Sequence, residues 1–527
     1  MARDDIIGAD TRTYLPELEW DGLQSPYEIG TIDPSTSSPS GVDKIKIWRD
    51  DAYEIHGAAS GTGFRRLLRR SPAGSFAQGV TITGSETLTE VEQTQEGELR
   101  EVKHTLHSYA LPNCHIDSMS IGGSTHEALT FSFDLSPWRV SRATPPPRVA
   151  VRLTEWYLNG PHQHAGATVF PRTMRRELAQ EYKRQGLGDN GPNYPAITLS
   201  QGEDIGYASI TYGDKRFLLY QVPQGCGPEW SHNMGIEFRA EWGGIPAPDD
   251  REAIGEIVSF LVGRRLVHVG YTGFDAEGLP VEEVSFNPWG DNVVALCDTP
   301  DLPPVKLDPW TGRLRLEMVL AQLVPPYLAL RDDFGLKDAL WHYWLSRESP
   351  PGIDLTIISA ALDRVSDKWL KSNKSKARGV YLPKKEFDAL TTEEFARIEA
   401  KLTHVEGQEF VMGTLRKAFE IRGVVVKRNT FLDEIKLPVG PVEEAAFRAR
   451  GGAAHGGGAV SEEEHRNMIR HGDAYRTAFA RVVLKILGYS GSYVDYSAPD
   501  FPETPLDQAQ AGWLDEDAEE MVAEEGE

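Results

Sequence analysis

Phe447-Arg448-Ala449-Arg450-Gly451-Gly452-Ala453-Ala454-His455-Gly456-Gly457-Gly458 is the stretch on which the reading of this chain turns. An Arg and a His lie five positions apart, with glycines between and after them, near the end of a region whose apolar residues recur at helical spacing. His is the side chain whose ordinary pKa lies closest to neutral pH, so it makes an economical general acid or base. A permanently cationic Arg matches the geometry of phosphate oxygens and neutralises charge developing on them. On an unbroken helix, positions five apart are turned about 140° from each other. The glycines are therefore expected to release the backbone from helical geometry and bring Arg450 and His455 into one cleft. The competing reading is a Gly-rich turn carrying two solvated polar residues.

Arg448 offers a spacing of six to the same His455, and a second Arg-x4-His occurs at Arg466 and His471, followed by Gly472. The second pair falls inside the amphipathic segment that begins at Ser461-Glu462-Glu463-Glu464, a capping-box start, so its two side chains are expected to diverge on a helix. Arg450 and His455 are accordingly the leading pair, with Arg448, Arg466 and His471 as alternates. The most concentrated basic segment of the chain contains Lys371, Lys374, Lys376 and Arg378. It reads either as a site for RNA phosphates or as a solubilising loop.

Working outward, Leu355, Ile358, Leu362, Val365 and Trp369 follow helical spacing, as do Phe387, Leu390, Phe395, Ile398 and Leu402. The last helix carries Tyr475, Phe479, Val482, Val483 and Ile486 on one stripe and is expected to stop at Gly488. Residues 310–498 read as an all-α bundle. Upstream, alternating segments such as Val80-Thr81-Ile82-Thr83, Arg216-Phe217-Leu218-Leu219-Tyr220 and Leu266-Val267-His268-Val269 signal strands. Residues 1–305 read as a β-rich, sandwich-like domain of one or two lobes, interrupted by helices near Arg175 to Arg184 and Arg251 to Val262. The expected fold class is thus α+β and multidomain.

At 527 residues the chain exceeds the size of a single core, and its 40% hydrophobic and 25% charged content is that of a globular protein. Three widely spaced cysteines, Cys114, Cys226 and Cys297, argue against a disulfide framework or a cysteine zinc site. The histidines near Cys114 have no zinc-ligand spacing, so no metal and no cofactor is expected. The N-terminus lacks the apolar run of a signal peptide and no window is long enough to span a membrane; a cytoplasmic protein is expected. The net charge of −24 argues against broad nucleic-acid binding, although eleven acidic residues between Asp500 and Glu527 leave only −13 on the rest. Residues 499–527 read as an acidic, disordered tail.

Arg-x4-6-His followed by Gly, then a long amphipathic helix, then Leu487-Gly488-Tyr489-Ser490-Gly491-Ser492-Tyr493-Val494-Asp495-Tyr496, resembles the C-terminal part of HEPN-domain proteins. Among these the chain is most similar to the ApeA-like group of bacterial antiphage defence, with further likeness at Trp156-Tyr157-Leu158-Asn159-Gly160-Pro161, Asn287-Pro288-Trp289-Gly290 and Ala360-Ala361-Leu362-Asp363. The resemblance implies a HEPN helical bundle behind a β-rich sensor or regulatory domain. It also implies a metal-independent endoribonuclease acting in abortive infection, a homodimer or higher homo-oligomer formed through that bundle, and a phage-derived trigger. The family favours a polar residue, usually Asn, directly after the Arg, where this chain has Gly451. A non-catalytic module that binds nucleotide or protein is the alternative.

Overall fold

The computed structural model describes residues 27–29, 42–50, 52–62, 80–93, 99–122, 130–136, 139–143, 147–161, 172–176, 203–222, 232–276, 280–288, 296, 299–307, 314–372, 384–420, 423–454 and 461–512. The protein is a mixed α+β molecule with a large antiparallel sheet and, among the described residues, nine α-helices. It divides into two compact units. One comprises Met1–Pro248, Arg264–Asp301 and Asp308–Met318; the other comprises Asp249–Gly263, Leu302–Leu307 and Val319–Glu527.

The first unit carries β1 (Tyr27–Ile29), β2 (Val42–Arg49), β3 (Ile55–Thr62), β4 (Val80–Gln93), β5 (Leu99–Gly122), β6 (Thr130–Ser136), β7 (Arg139–Ala143), β8 (Arg152–Leu158), β9 (Arg172–Arg176), β10 (Glu203–Tyr212), β11 (Lys215–Gln221), β12 (Met234–Arg239), β13 (Val267–Phe274) and β14 (Pro280–Phe286). Hydrogen bonding runs as one path in the order β1-β2-β3-β6-β5-β7-β14-β13-β8-β12-β11-β10-β9, with β4 paired to β5. The path is continuous because β5 is long enough to pair with β6 near one end and with β7 further back. Trp156, Leu158, Leu218, Tyr220, Val267, Val269 and Phe274 form a buried cluster on this sheet. Trp156 donates its indole N–H to Thr272 Oγ1 at 3.0 Å, which satisfies the polar end of a buried ring. A bulge falls between His268 and Gly270, and Gly270 adopts φ +153°; a Cβ there would lie 2.2 Å from the Val284 carbonyl oxygen.

One sequence expectation changes here. Arg175 and Arg176 lie in strand β9, not in a helix, because they pair with Asp204 and Glu203 of β10. Trp156 and Tyr157 are core residues, and Asn159 forms the corner behind them at φ 60°. The Asn159 side chain donates to the Arg265 carbonyl at 2.7 Å and accepts from Arg264 at 2.7 Å.

The second unit holds α1 (Pro248–Val262), α2 (Leu316–Leu330), α3 (Leu336–Glu348), α4 (Ile353–Lys371), α5 (Lys384–Lys401), α6 (Gln408–Glu420), α7 (Val424–Glu434), α8 (Pro441–Ala454) and α9 (Glu462–Ile486). Helix α4 is the hub, packed by α3, α7, α8 and α9. Its stripe Leu355, Ile358, Leu362 and Val365 is buried, as are Tyr475, Phe479, Val482 and Val483 of α9. The expected capping box is present: Ser461 Oγ accepts from Glu464 N and Glu464 accepts from Ser461 N. Gly488, at φ +77°, follows the end of α9. Gly472 lets α9 approach α4, since a Cβ there would lie 2.4 Å from Asp354 Oδ2.

Three further expectations need correcting. Helix α1 was expected as an interruption of the β region, yet it belongs to the helical unit, where Glu256 accepts from Tyr327 and Arg331 at 2.7 Å. The stripe of α5 is only partly covered: Phe387 and Phe395 are buried with Met412 of α6, whereas Leu390 is 69% exposed. The tail is not disordered from 499 onward. Strand β16 (Glu503–Pro505) pairs with β15 (Ser492–Val494), Leu506 is buried, and Gln510 donates to Glu443 and to the Ala474 carbonyl. Acidity of the segment as a whole concealed the few residues that dock.

Candidate functional site

Arg450 lies just before the last turn of α8, and that helix continues through Gly451 and Gly452 to Ala454. The expected break at the glycines therefore does not occur before residue 455. Flanking alanines keep the segment helical, and glycine in a helix costs only about 1 kcal/mol each relative to alanine. Gly451 is exposed, and a Cβ built on it meets nothing within 4 Å, so no steric demand places glycine there. His455 lies outside the described residues, as do Lys374, Lys376 and Arg378.

The half-buried Arg450 guanidinium forms an ion pair with Asp363 of α4, Nη2 to Oδ2 at 2.7 Å. Asp363 Oδ1 is buried and has no hydrogen-bond partner among the described residues. Burial raises the Asp363 carboxyl above its ordinary range, against the lowering influence of Arg450 and Arg428; neighbouring Asp367 adds to the rise. Arg428, on α7, is 5% exposed, with its guanidinium carbon 4.2 Å from the centre of the Phe447 ring. Tyr475, on α9, is fully buried. Burial, reinforced by the Asp363 charge, pushes its phenol up to about 12, although Arg428 and Arg450 both favour the phenolate. Arg428 acts on the Tyr475 phenol both as a neighbouring charge and as a side-chain hydrogen-bond donor, yet Tyr475 Oη and Arg428 Nε each lack a partner of full hydrogen-bond geometry among the described residues. Four helices thus bring two guanidinium groups, a phenol and a carboxylate together.

The remaining candidates are dispersed. Arg448 is exposed and donates to the Glu444 carbonyl one turn back, at 3.2 Å. Arg466 is exposed on α9 and pairs with Glu462 at 2.9 Å. His471 is half-buried on the same helix, and burial lowers its pKa. The Gly472 that follows it is accounted for by the close approach to Asp354. Lys371 is the exposed final residue of α4, two four-residue steps beyond Asp363, or about 12 Å along the axis.

Sequence reasoning missed Arg428 as a member of this cluster. A signal existed: Arg428 falls at helical spacing with Val424, Phe431, Leu432 and Ile435, so a cation occupies a position of the apolar stripe. Arg481 on α9 is the same kind of residue. It is paired with Glu443, both side chains 1% exposed, and donates to the carbonyls of Pro438 and Gln508 at 3.0 and 2.6 Å. That pair is tied into the surrounding backbone through both Nη atoms of Arg481 and through Glu443, and reads as structural.

Outside this unit, Asp50, Glu54 and His56 bring possible ligand atoms within 4.8 Å of one another. Asp50 already accepts from Glu54 N at 2.9 Å and contacts His56 Nε2 at 2.8 Å, so the group locks the turn between β2 and β3. No helix among the described residues is long and apolar enough to cross a membrane. No protein-family model, no curated protein and no solved structure matches the chain.

Proposed function

We propose that the helical unit is a metal-independent endoribonuclease of HEPN type that acts in the cytoplasm in bacterial antiphage defence, with the β-rich unit as its sensor or regulator. The observation that carries this reading is that Arg450, five residues before a histidine in sequence, pairs with Asp363 and that the buried Arg428 guanidinium acts on the same Asp363 and Tyr475. In this mechanism the RNA 2′-hydroxyl attacks the adjacent phosphorus. His455 takes the proton as general base or delivers one to the leaving 5′-oxygen, and Arg450 stabilises the charge on the phosphorane oxygens. The products are a 2′,3′-cyclic phosphate and a 5′-hydroxyl. Two copies of the site meeting in a homodimer would turn a shallow surface into a cleft, and a phage component would supply the trigger.

The second reading is a non-catalytic module that binds nucleotide or protein. The Arg450–Asp363 ion pair favours it, because a guanidinium already engaged by a carboxylate is a weaker electrophile for phosphate. Incubation of the full chain with RNA in excess EDTA separates the two. Cyclic-phosphate ends that disappear in His455→Ala support the ribonuclease. Intact RNA, both in EDTA and during phage challenge of a host expressing the protein, supports the module.

A further inference from the structure

Arg428 is a buried cation with no carboxylate at ion-pair distance among the described residues. Its Nη2 donates to Asn429 Oδ1 at a long 3.5 Å, it acts on the neutral phenol of Tyr475, and its Nε has no partner among the described residues. A buried charge is costly unless it is paired and hydrogen-bonded. Elsewhere in the same unit the buried guanidinium groups have carboxylate partners: Arg481 has Glu443, Arg331 has Glu252 and Glu256, and Arg476 has Asp354 and Asp473. Beside Arg428, Tyr475 Oη and Asp363 Oδ1 are also unsatisfied among the described residues. The group therefore combines two positive charges, one ionisable carboxyl and three unfilled hydrogen-bond positions on four helices. With Asp363 ionised it carries one residual positive charge.

We propose that Arg428 and Tyr475 complete a phosphate site with Arg450, and that Asp363 tunes this site to a singly charged internal phosphodiester over a doubly charged terminal phosphomonoester. This rests on the ribonuclease reading for the nature of the ligand, but not for the existence of the site. A diester oxygen brought between the two guanidinium groups accepts from Arg428, and Tyr475 Oη donates to the same phosphate. The diester's single negative charge cancels the residual charge left by Asp363. A monoester dianion instead leaves an excess negative charge beside the Asp363 carboxylate, in a site where burial weakens screening. Asp363 is thereby a specificity-determining residue, and its neutral isostere Asn shifts the site toward the dianion.

The test is titration calorimetry on the full chain with two probes that cannot be cleaved: a 2′-O-methyl diribonucleotide without terminal phosphate, and a 2′-O-methyl nucleoside 3′-monophosphate at pH 8. Wild type is expected to prefer the diester, and Asp363→Asn to move the ratio of the two dissociation constants at least tenfold toward the monophosphate. Arg428→Met and Tyr475→Phe are expected to weaken the diester at least tenfold and about threefold respectively. Asp363 is half-buried and its Asn isostere keeps the shape, so the test does not hang on the buried Arg428 variant folding. An unchanged ratio in Asp363→Asn, or undiminished diester binding by a folded Arg428→Met, overturns the assignment. The predicted ratio shift without any RNA cleavage refutes the ribonuclease reading alone. Cleavage that depends on His455 with an unmoved ratio refutes the tuned site alone.

Discussion

Gly451 and His471 show how single positions divide between chemistry and architecture. Gly451 is helical, exposed and unconstrained by neighbours, so its side chain is open to choice. Gly451→Ala is expected to stabilise the helical unit by about 0.5–1 kcal/mol in urea unfolding, through helix propensity and a less flexible unfolded chain. Gly451→Asn, which supplies a polar group after Arg450, is expected to maintain or raise the rate of RNA cleavage, read by following cyclic-phosphate ends. For His471, burial lowers the folded-state pKa below the ordinary 6.5, so the unfolded chain binds the proton more readily. Stability is then complete above about pH 6.5 and falls as pH drops toward the lowered folded pKa. His471→Gln is expected to flatten that limb, its stability relative to wild type improving between pH 7 and pH 5. Cleavage activity should survive the same substitution, because His471 takes no part in the Arg450 cluster.

At the scale of elements, the start of α8, the C-terminal half of α9 and the C-terminal segment are joined by one buried ion pair. Arg481 and Glu443 have exchanged water for Pro438, Gly440, Gln508 and Gln510 backbone groups, and neither carries a free charge. Glu443→Ala leaves a buried guanidinium unpaired and is expected to cost about 3–5 kcal/mol. Deleting residues 500–527 removes the backbone partners at 508 and 510 together with buried Leu506. It is expected to lower the melting temperature clearly, and an unchanged melting curve would show that the segment does not dock. Helices α5 and α6 behave differently: their shared core is Phe387, Phe395 and Met412, while Leu390 and Phe410 face solvent at 69% and 80% exposure.

For the molecule as a whole, the helical unit is discontinuous in sequence, with α1 inserted between strands of the sheet. Arg331 finds Glu252 and Glu256 on α1, which hold its guanidinium more firmly protonated than usual, and Tyr327 donates to Glu256. A fragment beginning at residue 310 loses both carboxylates together with the buried apolar residues Ile254, Ile257, Val258 and Leu261 of α1. It is expected to melt well below the helical unit of the intact chain, by calorimetry on both. Light scattering of the full chain is expected to give a dimer or a multiple of it. A strict monomer at micromolar concentration that still cleaves RNA would rule out the shared-cleft arrangement.

The sequence by itself determined the order of elements. Alternation gave the strands, helical spacing gave α4 and α9, and Ser461, Glu464 and Gly488 marked where α9 begins and ends, because these signals are local and recur within a few residues. It also singled out Arg450 by residue type and neighbours. Only the tertiary structure decided what Arg450 faces. Asp363, Arg428 and Tyr475 lie 87, 22 and 25 positions away in the chain, and no periodicity links them. The same holds for α1, whose amphipathic pattern fits either a sheet or a bundle, and for residues 499–512, whose acidic composition outweighed Leu506 and Gln510. Burial and pairing of polar groups depend on which helices meet, and that is fixed by packing across long sequence separations.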